Sequence, residues 1–262
     1  MRPQGSVRYD NQGRVVLVTG GAGGIGLAVS VAFVQSGATV VIADVQEDVA
    51  SLPPDVDYQL TDVAKPDACQ RVVAYVVAQH GAVDVLVNNA AIQPPGSYTA
   101  VDELDDEVYE QMLRVNLSGY TYMAKYAIRQ MKQQKSGVVI NVASGQGHRT
   151  ARQVPTYGPI KAANLLQAMQ WGVEYARDGI RVVSVSPGAI DTPLVRASLE
   201  LQGGAEELAN RHPVGRIGRP QEVAAAILWL ASDDASFVTA TDLAIDGGLN
   251  AFAAFADPYP TK

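Results

Sequence analysis

One cysteine, Cys69, is all that 262 residues contain, so neither an intramolecular disulfide nor a cysteine-built metal centre can form within the chain. Histidine is almost as scarce. His80, His148 and His212 are scattered and not grouped with acids at ligand spacing, so no metal site is expected. Charged residues make up only 18% and the formal net charge is -7, with no block of Lys or Arg. Phosphate backbones and anionic membrane surfaces select the opposite pattern, so neither nucleic acid nor membrane is expected as a partner. No apolar run reaches the ~20 residues that cross a bilayer, and Met1–Asn11 is polar where a secretory signal would carry an apolar centre. The expectation is a soluble, cytoplasmic protein. Repeats, low-complexity tracts and linkers are also missing, which favours residues 1–262 as a single domain.

What is there is apolar material, 47% of the chain, enough for a full-sized core. Val- and Ile-rich runs predict strands at Arg14–Thr19, Thr39–Ala43, Asp57–Gln59, Val83–Val87, Val138–Val142, Arg181–Val185 and Leu243–Ile245. Helical periodicity predicts helices at Gly24–Ser36, Lys65–His80, Glu103–Lys132, Pro155–Arg177 and Gln221–Ala231. Strands alternating with helices imply parallel pairing through right-handed crossovers, hence an α/β fold: a doubly wound, mostly parallel seven-stranded sheet with helices on both faces. Ligands of such sheets bind beyond the carboxyl ends of the strands, where strand order reverses.

The first strand runs through Thr19-Gly20-Gly21-Ala22-Gly23-Gly24-Ile25-Gly26 into an amphipathic helix. Small residues let the backbone turn sharply and approach a pyrophosphate, and the helix N-terminus offers N–H groups and positive dipole. A glycine cluster alone is a weak signal and reads equally well as a flexible turn. Strand, turn and helix in that order, with Asp44 closing the second strand about 20 residues on, make it a Rossmann-type dinucleotide site. A carboxylate there accepts hydrogen bonds from ribose hydroxyls and repels a 2′-phosphate. Neither Gly23 nor Val45 supplies a counter-charge, so NAD is favoured over NADP.

Tyr157 and Lys161 stand four residues apart, on one helical face, and Ser144 lies thirteen residues before the tyrosine, just past a strand. Oxidising a secondary alcohol requires a base within reach of its hydroxyl proton. A tyrosine is too weakly acidic unless a neighbouring cation favours its phenolate, and Lys161 is suited to that task. Ser144 would hold the substrate oxygen as its charge changes.

Together with Asp62-Val63, Asn88-Asn89-Ala90, Asn116 and Pro187-Gly188-x-x-x-Thr192, these motifs resemble the short-chain dehydrogenase/reductase family in its compact form, over about residues 13–248. The resemblance implies that Asn116 completes a catalytic tetrad with Ser144, Tyr157 and Lys161, kinking its helix and holding a relay water for Lys161. It implies that Gly20, Gly24, Ile25 and Gly26 cradle the pyrophosphate with Asp44 on the ribose, Asp62 and Val63 at the adenine, Asn88 and Ala90 beside the cofactor, Pro187, Gly188, Ile190 and Thr192 at the nicotinamide, and Tyr157 and Lys161 near its ribose. It also implies a homotetramer, or a homodimer, built through the two long helices and the last strand. The chain departs from the family pattern at two places. Pro159 between Tyr157 and Lys161 is tolerable only in a first helical turn, so that helix should start at about Pro155–Tyr157. Ala240 stands where a glycine is usual.

Residues expected over the reacting carbon are Gln93, Gln146, His148 and Gln153, whose polar character suits a hydroxylated or anionic small molecule. Residues 194–211 are expected to form a lid with Leu194, Val195 and Leu199 as an apolar wall, and residues 249–262 a C-terminal extension whose Phe252, Phe255, Pro258 and Tyr259 cap a site. The expected activity is hydride transfer between NAD and a sugar, polyol or small hydroxyketone. A 3-oxoacyl-type or other biosynthetic ketoreductase is the first alternative, and a catalytically silent NAD(H)-binding regulator the second.

Overall fold

The computed structural model describes residues 5–47, 52–200 and 203–252. Seven strands, β1 (Val15–Thr19), β2 (Thr39–Asp44), β3 (Val56–Leu60), β4 (Val85–Asn88), β5 (Gly137–Val142), β6 (Ile180–Pro187) and β7 (Thr241–Ile245), form one sheet in the order β3-β2-β1-β4-β5-β6-β7. Every adjacent pair is parallel. The order reverses between β1 and β4, so the carboxyl ends of these two strands flank the switch point where such sheets bind ligands.

Side-chain alternation sends Val16 and Val18 to one face of the sheet, among Val29 and Phe33 of α1 (Gly24–Gln35) and Val223 and Ile227 of α8 (Pro220–Ala231). Val15 and Leu17 point to the other face, among Val72 and Val76 of α2 (Pro66–His80), Met123 and Met131 of α4 (Gly119–Gln134), and Ala168 of α5 (Tyr157–Tyr175). Both faces are covered, which is why β1 reads as an unbroken apolar run.

The helix expected over Glu103–Lys132 is not continuous. It starts as α3 (Asp106–Leu113), widens into a π turn over Arg114–Ser118, and continues as α4. Asn116 sits in that turn, so the regular helix is interrupted at the residue to which the resemblance assigns a kink. α5 begins at Tyr157, which puts Pro159 in the first turn, where its missing N–H removes no intrahelical bond. The expected lid contains α6 (Pro193–Arg196) and α7 (Gly204–Asn210). Phe255, Pro258 and Tyr259 lie outside the described residues.

Candidate active site

The glycine-rich turn is built around Thr19. Its Oγ accepts from the backbone N–H groups of Asn89 (3.0 Å) and Ala90 (3.1 Å), while Asn89 Nδ2 donates back to the carbonyls of Thr19 (3.0 Å) and Gly20 (2.9 Å). The carboxyl ends of β1 and β4 are thereby locked together. Gly20 has φ +63°, and a Cβ on it would stand 2.8 Å from Ala90 Cα; one on Gly26 would come within 2.1 Å of the Gly20 carbonyl oxygen. Only glycine fits at both points. No side chain caps the N-terminus of α1, so its first N–H groups are left for the cleft.

That cleft, about 590 Å³, runs from Asp44, Asp62 and Val63 past Gly20, Gly24 and Ile25 to Ser144, Tyr157 and Lys161, and Ala90, Pro187, Gly188, Ile190 and Thr192 also line it. An elongated molecule with a diol-bearing end, a phosphate centre and a reactive end matches this series of groups. A dinucleotide therefore fits the residues present. Asp44 is buried, its carboxylate accepting from the N–H of Ala22 (2.9 Å) and of Val45 (2.7 Å). The turn and the acidic strand end are thus one hydrogen-bonded unit. Asn88 and Gly26 do not line the cleft. Asn88 is fully buried behind it, donating to Asn141 Oδ1 at 3.0 Å, and Gly26 shapes the turn from within.

Ser144 ends the segment after β5 and its Oγ accepts from Gln146 N–H at 3.1 Å. Tyr157 is half-buried at the start of α5. Burial pushes its hydroxyl up to about 12; the Ser144 hydroxyl pulls the other way, and the Tyr98 hydroxyl adds to the rise. Lys161 is buried, which brings its ammonium down to about 7. Its Nζ donates to the Val142 carbonyl at 2.8 Å and to the Tyr120 hydroxyl at 3.1 Å, and lies 5.6 Å from the centroid of the Tyr157 ring. At this separation burial outweighs any lowering of the Tyr157 pKa by Lys161. With the chain's own groups alone around it, Tyr157 remains a phenol, and Lys161 spends two N–H bonds on the interior while still lining the cleft. Asn116 fastens the π turn to the loop after β4 through a two-way bond, accepting from Ile92 N–H and donating to Ile92 C=O, both at 2.8 Å.

The four expected substrate residues do not line the cleft. His148 turns toward the last strand, its Nε2 2.8 Å from Asp242 Oδ2 and 3.3 Å from Ser186 Oγ. Gln153 is exposed, at φ +58°. Gln93 and Gln146 each keep one buried amide atom without a protein partner. Of the expected apolar wall, Leu194 and Val195 line the cleft and Leu199 does not.

Several residues that the sequence reading did not single out support the site from behind its lining. Tyr98, from the loop after β4, bonds Ser198 beyond α6 and faces Tyr157. His212 accepts from Ala189 N–H at 3.1 Å through Nε2, and its Nδ1 lies 2.9 Å from the Leu208 carbonyl, which steadies the strand end at Gly188. Tyr120 could have been noticed from its spacing, since it follows Asn116 by four residues and so shares its helix face. Among the described residues no cluster of potential metal ligands occurs, and no helix is long and apolar enough to cross a membrane.

Comparison with known proteins adds a family to this geometry. The family model described as enoyl-(acyl carrier protein) reductase matches residues 20–250. The chain is 41% identical to a cis-4-hydroxycyclohexanecarboxylate dehydrogenase of Sinomonas cyclohexanicum over 91% of its length and 97% of that protein's. It is 37% identical to the 3-oxoacyl-[acyl-carrier-protein] reductase FabG of Thermotoga maritima, covering 91% and 98%. Among solved structures it resembles ligand-free aldohexose dehydrogenase of Thermoplasma acidophilum with a TM-score of 0.87 at 33% identity, covering 96% and 98%. Likeness of this extent, over a sheet and a cleft that already answer to the same motifs, means that the chain belongs to the short-chain dehydrogenase/reductase family of nicotinamide-dependent oxidoreductases.

Proposed function

We propose that the chain transfers a hydride between NAD and a secondary alcohol or its ketone carried on a small, polar molecule, a sugar, polyol or hydroxyketone, with a ring-borne alcohol favoured. The observation that carries this reading is the convergence of Ser144, Tyr157 and Lys161 at one end of a cleft whose other end presents the Asp44 carboxylate. Relatives named for a hydroxycyclohexane and an aldohexose support the ring. NAD is favoured because a 2′-phosphate beside Asp44 would meet a buried negative charge and no basic residue at Gly23 or Val45.

The cofactor, when bound, supplies the hydride acceptor or donor. The chain's part is to hold the substrate oxygen between Ser144 and Tyr157 and move one proton. In reduction, the Tyr157 phenol gives its proton to the forming alkoxide; in oxidation, the same oxygen takes it back, and Lys161 offsets the phenolate charge. A phenol pushed up to about 12 stays protonated, as the reductive direction requires, so cofactor and substrate must add to what the chain supplies before its oxygen can serve as a base. Asn116 keeps Ile92 and the π turn in place, and Gln93, Gln146, His148 and Gln153 remain candidates for substrate contact only if their loops move.

A second reading, a 3-oxoacyl-type ketoreductase, is favoured by the FabG relative. A silent regulator has less support, because binding alone needs neither Ser144 nor the Tyr157 hydroxyl. The test is a turnover screen of sugars, polyols, cyclic alcohols and 3-oxoacyl thioesters with NAD and NADP separately. Turnover of a cyclic or sugar alcohol with NAD, lost at least a thousandfold in Tyr157→Phe, is the expected result. Reduction of thioesters alone selects the second reading, and tight NADH binding without turnover selects the regulator.

A further inference from the structure

Lys161 stands on a second buried tyrosine. Tyr120 is 1% exposed, its hydroxyl accepts from Lys161 Nζ at 3.1 Å and donates to the Val142 carbonyl at 2.9 Å, and its ring centroid lies 4.9 Å from the same Nζ. An ammonium has three N–H bonds to place. Two of them, to Tyr120 and to the Val142 carbonyl, are committed to the interior, which leaves one for the cleft.

A core tyrosine commonly finds some partner for its hydroxyl. Here the surroundings fix both partners. Asn88 Nδ2 donates to the Tyr120 carbonyl (3.3 Å) and to Asn141 Oδ1 (3.0 Å), Asn141 Nδ2 donates to the Asn164 carbonyl (3.3 Å), and Asn164 Nδ2 donates to the Asn116 carbonyl (3.2 Å). Four fully buried asparagines thus join β4, β5, α5 and the π turn around the start of α4. The carbonyl of Asn116, the residue to which the family resemblance assigns a relay water, is here an acceptor for Asn164, and the hydroxyl that Lys161 meets is that of Tyr120.

We propose that Tyr120 is a positioning residue of the catalytic site: its hydroxyl and ring face hold the Lys161 ammonium against β5 and direct its remaining N–H toward Tyr157 and the cofactor. The proposal rests on the catalytic reading of Lys161 given above. The titratable groups facing Lys161 are Tyr120 from α4 and Tyr157 from its own helix. β5 contributes the neutral Val142 carbonyl, and no charged side chain adds to the effect of burial. Removing the Tyr120 hydroxyl takes an acceptor from the ammonium and almost nothing from the neutral amine. Lys161 then loses its proton at lower pH.

The test follows the Nζ signals of lysine-¹⁵N-labelled full-length protein through a pH titration, with and without NAD, in wild type and Tyr120→Phe, Lys161 being assigned by its loss in Lys161→Met. The expected result is a Lys161 midpoint lower by about one pH unit in Tyr120→Phe. The limb of the kcat/KM profile that belongs to Lys161 moves by a similar amount, and the plateau falls about tenfold. An unchanged Nζ midpoint in a folded Tyr120→Phe protein overturns the proposal, whatever happens to activity. A lowered midpoint in a protein whose turnover survives Lys161→Met supports the hold of Tyr120 on the lysine and overturns the catalytic reading beneath it, so the two failures read differently. If Tyr120→Phe does not fold, the wild type decides: nuclear Overhauser contacts between Lys161 Hε and the Tyr120 ring are expected, and their absence overturns the proposal.

Discussion

At the scale of single residues, the backbone of Ala240 is the clearest case of sequence working against conformation. Its φ is +54°, in the left-handed region, and its N–H is spent on the Val182 carbonyl at 2.8 Å, just before β7. The family pattern has a glycine there, and the structure supplies the reason: a Cβ is strained at that φ. Gly172 of α5 passes so close that a Cβ added to it would lie 2.6 Å from Ala240 N, so the segment cannot relax toward the helix. Ala240→Gly should relieve strain of about 1–2 kcal/mol, offset in part by the greater freedom of glycine in the unfolded chain. A net gain of ~0.5–1 kcal/mol is expected, or ~2–3 °C in Tm by calorimetry. A fall in Tm would mean that the Ala240 methyl is packed more tightly than its strain costs.

At the scale of elements, α8 and the π turn show how an exposed and a buried helix defect are handled. Glu222 sits three residues past Arg219, at the N-terminus of α8; its carboxylate accepts from Arg219 N–H at 2.8 Å and from Arg216 at 2.7 Å and 2.9 Å. The Arg216 pairing, with the backbone bond second, brings its pKa down to about 2. A carboxyl with a depressed folded pKa contributes stability that is present above its unfolded value, near 4.5, and is lost as pH falls toward 2. Glu222→Gln should therefore cost about 1 kcal/mol near neutral pH and flatten the acid limb of the stability curve between those two values, as read by denaturant melts from pH 7 to pH 2. The π turn is held from the side, by the two-way bond between Asn116 and Ile92. Asn116→Asp keeps the acceptor for Ile92 N–H but turns a carboxylate oxygen toward the Ile92 carbonyl. We expect kcat to fall at least tenfold and Tm to drop by several degrees, whereas a helix that merely tolerates a polar residue at 116 would show neither.

At the scale of the whole molecule, the layered sheet was legible because parallel strands buried on both faces must be written as continuous Val and Ile runs, and β1, β2 and β5 are. The site was legible where its chemistry is local: the Thr19–Gly26 turn is contiguous, and Tyr157 and Lys161 share one helical turn. What could not be read was settled by distant partners. His148 lies 94 positions from the Asp242 that turns it away from the cleft, and Asn116, where only the resemblance implied a kink, lies 24 from the Ile92 that bonds it. Surface association is of the same kind, since no periodicity says what covers an apolar face. Along α5, Leu166 is 66% exposed, Met169 37% and Val173 75%, spaced so that they share one side of the helix. Beside this helix a groove between α4 and α5 is lined by Ile128, Trp171 and Tyr175 together with Lys125, Arg129 and Lys132. A stripe of large apolar side chains beside an aromatic groove is the composition of a surface that pairs with another chain, and the family resemblance puts these same two helices at the contact between copies. The protein is therefore expected to sediment as a dimer or tetramer at micromolar concentration. Val173→Glu, which places a carboxylate at the most exposed position of the stripe without touching the cleft, should reduce that mass at least twofold. A wild-type chain that sediments as a monomer, or a Val173→Glu chain of undiminished mass, would show that α5 serves no such contact.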